Sequence, residues 1–180
     1  MTENTSQELP ASGLQLQTLI TEGGELKLSL QPVLVTAPAE DEVLIRVEAA
    51  PINPSDLGLL VGPADMSTAA ASGSAEDPVI TAKVPENFLP ALKARLGESM
   101  PVGNEGGGVV VQPGSSEAAQ ALLGKTVGFL GGASYTQYRT VKVAQCLAMN
   151  EGTTSHEAAA CFVNPLTSQA MIEVMRMENH

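Results

Sequence analysis

The chain has 180 residues, 43% of them hydrophobic but only 3% aromatic, and no Trp. That length suits one domain, with an aliphatic core that needs no help from disulfides. Nine basic against twenty acidic residues give a net charge of −11 with no Lys/Arg cluster, which excludes the usual phosphate-binding surface of a nucleic-acid partner and fits a solvated acidic exterior.

Residues 1–13 are polar and lack a basic, then apolar, run, so they read as a disordered leader and not as a signal peptide. No stretch approaches the ~18 apolar residues of a membrane span. Cys146 and Cys161 are too few for a disulfide framework and lie in apolar surroundings, so buried, reduced thiols are expected. These readings together predict a cytoplasmic protein with no membrane partner.

In chain order, Leu14-Gln15-Leu16-Gln17-Thr18-Leu19 and Leu26-Lys27-Leu28-Ser29-Leu30 alternate apolar and polar residues about Gly23-Gly24. They predict a β-hairpin. A third strand is expected over residues 42–50, with Val43, Ile45 and Val47 on one face. Pro54 opens a short helix anchored by Leu57, Leu59 and Leu60. Residues 62–83 are rich in Gly, Ala, Ser, Pro and Asp without periodicity, and predict a surface insertion. A short helix over 87–96 would carry Leu89, Leu92 and Leu96 on one side.

Val109-Val110-Val111 predicts a buried strand. A helix over 116–123 is capped by Ser115 or Ser116 and ended by Gly124. Strands follow over 126–130 and 135–143. Thr154 and Glu157 form a capping box for another helix. Pro165 interrupts that helix or opens the next, in which Leu166, Ala170, Val174 and Met177 make one stripe. Parallel βαβ alternation is absent.

Three segments carry the chemistry: Pro51-Ile52-Asn53-Pro54-Ser55-Asp56, Gly103-Asn104-Glu105-Gly106-Gly107-Gly108, and Phe162-Val163-Asn164-Pro165-Leu166-Thr167. In this order and at these separations the chain resembles the substrate-side domain of zinc-free medium-chain dehydrogenase/reductases, the group of the NADPH:quinone oxidoreductases and trans-2-enoyl-thioester reductases. The resemblance implies a β-rich α+β fold, a partly open GroES-like barrel with peripheral helices. It divides the chain into the leader, a GroES-like substrate domain over 14–165 with a long insertion over 62–100, and the start of a linker helix over 166–180. That helix would lead to a nucleotide-binding Rossmann domain absent from this chain.

The implied function is the N-terminal catalytic domain of a zinc-independent, NADPH-dependent oxidoreductase that reduces quinones or related activated alkenes. The cofactor would bind through the missing domain, so these 180 residues alone are expected to be inactive. In zinc-bearing relatives a Cys and a His hold the catalytic metal where Asn53 and Asn104 stand here. An amide is a poor zinc ligand, and no metal site is expected. The resemblance places Asn53 as the catalytic residue, with Asn53, Asn164 and Thr167 on the cofactor side of the cleft. The residues themselves also allow a plainer reading, with Asn53 as a helix cap and Asn164 to Thr167 as a helix break with a hydroxyl cap.

Asp56 and Glu105 read as carboxylates that accept hydrogen bonds and hold the cleft together. Gly128 to Ala133 follows a strand but leads into another strand, so it is no dinucleotide loop. The tyrosine that enoyl-thioester reductases carry after their first segment is missing from Val61 to Met66, which favours quinones over enoyl thioesters. The alternative of another class is a non-catalytic barrel module that binds a partner or small ligand. The expected partners are a small-molecule substrate and, through the exposed stripe of the last helix, a second copy in a homodimer.

Overall fold

The computed structural model describes residues 9–178. Most of the expected leader, residues 1–8, and the last two residues lie outside that range. β1 (Ser12–Ile20) and β2 (Glu25–Leu34) form the hairpin about Gly23-Gly24, with Ile20 opposite Leu26. β1 begins inside the expected leader, because Ser12 and Gly13 pair with Leu34 and Val33. β3 (Glu42–Ala49) follows, and Val43, Leu44 and Ile45 are all buried. α1 (Pro54–Leu60) opens on Pro54 as expected. Leu60 packs into the core, but Leu57 is exposed. Asp56 takes the inward position in its place.

The expected structureless insertion is instead a hairpin, β4 (Asp65–Gly73) and β5 (Pro78–Lys83), and β5 pairs with β2. β4 is exposed on both faces along nearly its whole length. A strand with no buried face has no reason to alternate, so the periodicity that marks a strand is missing. Glu86–Arg95 winds as 3₁₀ turns rather than as an α-helix, with Pro90 inside it lacking the N–H an α-helix would need. Leu89, Leu92 and Leu96 still pack inward together.

β6 (Met100–Pro101) adds two residues beside β1, and β7 (Glu105–Pro113) carries the expected valines. α2 (Glu117–Gln120) is capped by Ser116 Oγ, which accepts from Ala119 N at 3.1 Å. β8 (Thr126–Leu130), β9 (Tyr138–Lys142) and β10 (Cys146–Ala148) follow. α3 (Ser155–Ala159) has the predicted capping box, Thr154 N donating to Glu157 Oε2 at 2.8 Å and Glu157 N to Thr154 Oγ1 at 3.2 Å. α4 (Val163–Met177) contains Pro165 in its first turn, where its missing N–H costs nothing. The helix therefore starts at Val163, before residue 166, with Pro165 as its third residue.

The strands form two antiparallel five-stranded sheets, in the orders β4-β5-β2-β1-β6 and β10-β8-β7-β3-β9. The expected strand over 135–143 is split between them. Leu16 N donates to Tyr135 O at 2.8 Å and Gln137 N to Leu14 O at 2.9 Å, while Val47 N donates to Gln137 O at 2.9 Å. Residues 135–137 thus bond to β1 on one side and β3 on the other, and they join the sheets into a partly open barrel. Each sheet has its own aliphatic core. Val43, Ile45, Val110, Val127, Phe129 and Val141 pack in one, and Ile20, Leu26, Leu28, Ala82 and Val84 in the other. No described helix is long and apolar enough to cross a membrane.

α3 lies on a floor of two glycines. Gly107 and Gly128 are opposite each other on β7 and β8. A Cβ on Gly107 would sit 2.2 Å from Ser155 O and 2.7 Å from Ala159 N, and one on Gly128 would sit 2.5 Å from Ala158 O. The helix can only approach the sheet this closely because both side chains are absent. Gly107→Ala is expected to destabilise the chain by about 1–3 kcal/mol in chemical denaturation, since backbone cannot move aside as a side chain can. Gly58→Ala, where an added Cβ on α1 meets nothing within 4 Å, is expected to gain about 0.4–1 kcal/mol. Equal effects of the two substitutions would contradict the glycine-floor account.

Candidate functional site

The three sequence segments converge on one buried carboxylate. Glu105 opens β7 and is 1% exposed. Its Oε1 accepts from Asn53 Nδ2 at 2.9 Å. Its Oε2 accepts from both Phe162 N and Val163 N at 3.0 Å. Those amides are the first unsatisfied donors of α4, so the charge is set against the positive end of a helix. Asn164 Nδ2 completes the link by donating to Asn53 Oδ1 at 3.2 Å. Asn53, Glu105 and Asn164, separated by 52 to 111 residues in sequence, therefore form one network.

Asn53 stands at the N-cap position of α1, but its side chain makes no cap hydrogen bond. Asp56 does the capping, with its Oδ2 accepting from Asn53 N at 2.8 Å. The Asn53 amide is thereby left to bridge Glu105 and Asn164, and Asn53 is itself buried. Thr167 is not part of this network. Its hydroxyl donates to Val163 O at 2.7 Å, one turn back along α4, and the residue is exposed.

Two further contacts hold the start of α1 and the loop before it, and neither was expected from the sequence. Asn104 Nδ2 donates to Ser55 Oγ at 3.0 Å, and the Tyr135 hydroxyl donates to Pro51 O at 2.9 Å. Burial, then the neighbouring Asp56 carboxylate, pushes the Tyr135 phenol well above its ordinary value. Asp56 Oδ1 is buried without a hydrogen-bond partner. The sequence signal for Tyr135 was only its position after Gly131-Gly132; its reach to residue 51 is a product of the fold.

Asn53 and Asn104 both commit amide donors to protein oxygens. Among the described residues no three or more His, Cys, Asp or Glu side chains are grouped to hold a metal ion. No cradle for a pyrophosphate is formed by the described residues that were candidates for one. Gly128 to Gly132 leads toward β9 and not into a helix, and the amides that open α4 are taken by Glu105. Cys146 and Cys161 are free and half-buried rather than fully buried; burial pushes the Cys146 thiol up to about 11.

α4 is exposed along its length. Leu166 is 57%, Val174 52% and Met177 80% exposed, as the sequence stripe predicted. A shallow apolar depression runs along it, lined by Thr167, Ala170, Met171, Val174 and Met175. A separate small cleft beside Gln15, Leu44 and Arg139 contains none of the segment residues.

No family model and no curated protein matches the chain. Solved structures do. A Mesorhizobium loti protein assigned as an NADPH:quinone reductase superposes with a TM-score of 0.64 at 25% identity, over 96% of this chain and 46% of its own. The quinone oxidoreductase of Coxiella burnetii gives 0.62 at 17% identity, over 92% and 45%. The CurK enoyl reductase gives 0.59 at 22% identity, over 87% and 41%. The chain has the fold of the substrate-side half of medium-chain dehydrogenase/reductases, with the GroES-like barrel that its three segments imply. It spans less than half the length of these neighbours.

The raised Tyr135 and Cys146 groups predict an alkaline loss of stability. The folded state holds both protons to higher pH than the unfolded chain, whose thiol and phenol titrate at about 8.5 and 10. Their contribution is complete below those values and falls as pH rises past them, because the unfolded state then sheds protons first. Denaturation midpoints measured from pH 8 to about 11 should decline, and Tyr135→Phe should flatten the decline above about pH 10. An unchanged slope in the variant would show that Tyr135 is not held as described.

Proposed function

We propose that the chain is the substrate-side, catalytic half of a zinc-independent, NADPH-dependent reductase of quinones or related activated alkenes. The observation that carries this reading is the convergence of Asn53, Glu105 and Asn164, one from each of the three segments, on a fold shared with quinone reductases. One solved neighbour, a mycobacterial protein, was determined with NADPH. Bound in the family's manner, that cofactor supplies the hydride. Its phosphates would rest on a nucleotide-binding domain beyond the present residues.

In this reading the chain's own residues shape the nicotinamide side of the cleft. Glu105 fixes the Asn53 amide, with Nδ2 toward the carboxylate and Oδ1 toward Asn164. The orientation follows from chemistry, since a carboxylate accepts and cannot donate. Thr167, on the exposed face of α4, and Asn164 would complete that wall. Quinones are favoured over enoyl thioesters because Val61 to Met66 has no tyrosine and the Tyr135 hydroxyl is committed to Pro51 O. A quinone can take its protons from water.

Purified protein is expected to carry no stoichiometric zinc, because amides occupy the positions where thiolate and imidazole would be needed. Elemental analysis with one tightly held zinc per chain would overturn that expectation.

The 180-residue chain should bind NADPH weakly or not at all, since phosphate contacts at a glycine-rich loop contribute much of the affinity. Micromolar binding by calorimetry would refute the assignment of the cofactor's phosphates to another domain. In a version of the chain that continues into a nucleotide-binding domain, Asn53→Ala and Thr167→Ala should each lower turnover about tenfold, or about 1.4 kcal/mol of transition-state stabilisation. Wild-type turnover in both variants would leave Asn53 and Thr167 with structural roles only.

A further inference from the structure

α4 is tied to the barrel through its first turn. None of its residues is buried, and every residue from Asn164 to Met177 is exposed. Helices in proteins ordinarily persist because an apolar face packs on a neighbour. Here the tie is polar. Phe162 N and Val163 N donate to Glu105 Oε2 at 3.0 Å, and Asn164 Nδ2 donates to Asn53 Oδ1 at 3.2 Å. Further along, the bonds from Thr167 to Val163 O, from Gln169 to Glu173 and from Arg176 to Glu173 stay within the helix.

The bonds of the first turn close a ring. From Asn53 it runs through Nδ2 to Glu105 Oε1, across the carboxylate to Oε2, and on to Val163 N. One step of main chain leads to Asn164, whose Nδ2 returns to Asn53 Oδ1. Glu105 thus serves two bodies with two oxygens, one for Asn53 and one for α4. Both ends of the Asn53 amide are held by groups that α4 carries or fixes. A carboxylate only accepts, so the ring closes in one sense, with Asn53 Nδ2 toward Glu105.

We propose that the stance of α4 sets the Asn53 amide, with Glu105 and Asn164 as the positioning residues between them. Its bearing on turnover rests on the proposed role of Asn53; the coupling itself is a matter of hydrogen bonds. With α4 seated, Asn53 has one orientation. When the helix tips, Glu105 Oε2 loses two donors at once and Asn53 Oδ1 loses Asn164. Glu105 is 1% exposed, and a buried carboxylate oxygen tolerates the loss of its donors poorly. The carboxylate then turns toward the donor that remains, which is Asn53 Nδ2. A load on the apolar depression of α4, along Ala170, Met171, Val174 and Met175, therefore reaches Asn53 without touching it. Such coupling is reciprocal, so a ligand held by Asn53 steadies α4 in turn. The plain alternative is that Glu105 only caps α4, and Asn53 is indifferent to the helix.

The test is nuclear magnetic resonance on the 180-residue chain. It reads the side-chain amide signals of Asn53 and the solvent exchange of the Phe162 and Val163 amide protons. Ala170→Pro breaks α4 beyond the ring, by removing a main-chain bond and crowding the carbonyl of Leu166. The barrel is spared, because α4 buries nothing. The Asn53 signals should shift, and the Phe162 and Val163 amides should exchange about tenfold faster through local opening. Glu105→Gln offers one acceptor oxygen where the carboxylate has two. In that background, adding Ala170→Pro should no longer move the Asn53 signals. Asn164→Ala should shrink the shift, and at an exposed position it decides the route alone if Glu105→Gln does not fold. Asn53→Ala should speed exchange at Phe162 and Val163. Asn53 signals that stay in place in Ala170→Pro would overturn the coupling. A shift of equal size with Glu105 and Asn164 intact or replaced would overturn the route. No turnover is read, so a failure of the catalytic reading of Asn53 is told apart from a failure of the coupling.

Discussion

A buried, hydrogen-bonded carboxylate organises this molecule. Glu105 sits where an uncompensated charge would be prohibitively costly, since an ion taken from water into protein loses several kcal/mol of hydration. It is tolerated because its oxygens receive one amide from Asn53 and two from the start of α4. The same bonds that stabilise the charge fix the relative placement of α1, β7 and α4. The site and the fold thus share one constraint, and a change at Glu105 would be felt in both.

The placement of Glu105 depends in turn on the glycines behind it. Gly106 lies where an added Cβ would be 2.7 Å from Phe129 Cζ, and Gly107 directly beneath α3. The run after Glu105 therefore has no nucleotide to hold. It lets a core aromatic and a helix press against β7, which is packing work. Ser155, at the start of α3, also donates to Glu48 Oε2 at 2.7 Å, and this bond holds Glu48 below the usual carboxylate range, with Arg46 assisting. α3 is thus held to β3 by a hydrogen bond and to β7 and β8 by close approach.

The β4 edge of the first sheet and the last helix are a different kind of surface. Around Glu105 both carboxylate oxygens are matched by donors within the chain. Along β4 and α4 the chain exposes main chain in one case and apolar side chains in the other. Those are the surfaces on which association would bury something the monomer leaves in water.

The sequence by itself determined the local elements that rest on local chemistry. The alternation of β1 and β2, the Thr154–Glu157 capping box, the Pro54 start of α1 and the stripe of α4 were all legible, because each depends on residues within a few positions of one another. It also named Asn53, Glu105 and Asn164 as members of three separate segments. Only the tertiary structure decided that these three meet, because no periodicity encodes a contact across 52 to 111 residues. The β4–β5 hairpin was invisible for a related reason. Strand pairing is made by main-chain groups common to all residues, and a strand exposed on both faces leaves no hydrophobic pattern to read. Thr167 shows the converse: its segment was recognised, yet its hydroxyl turns back to Val163 O, a choice made by the geometry of the helix that carries it.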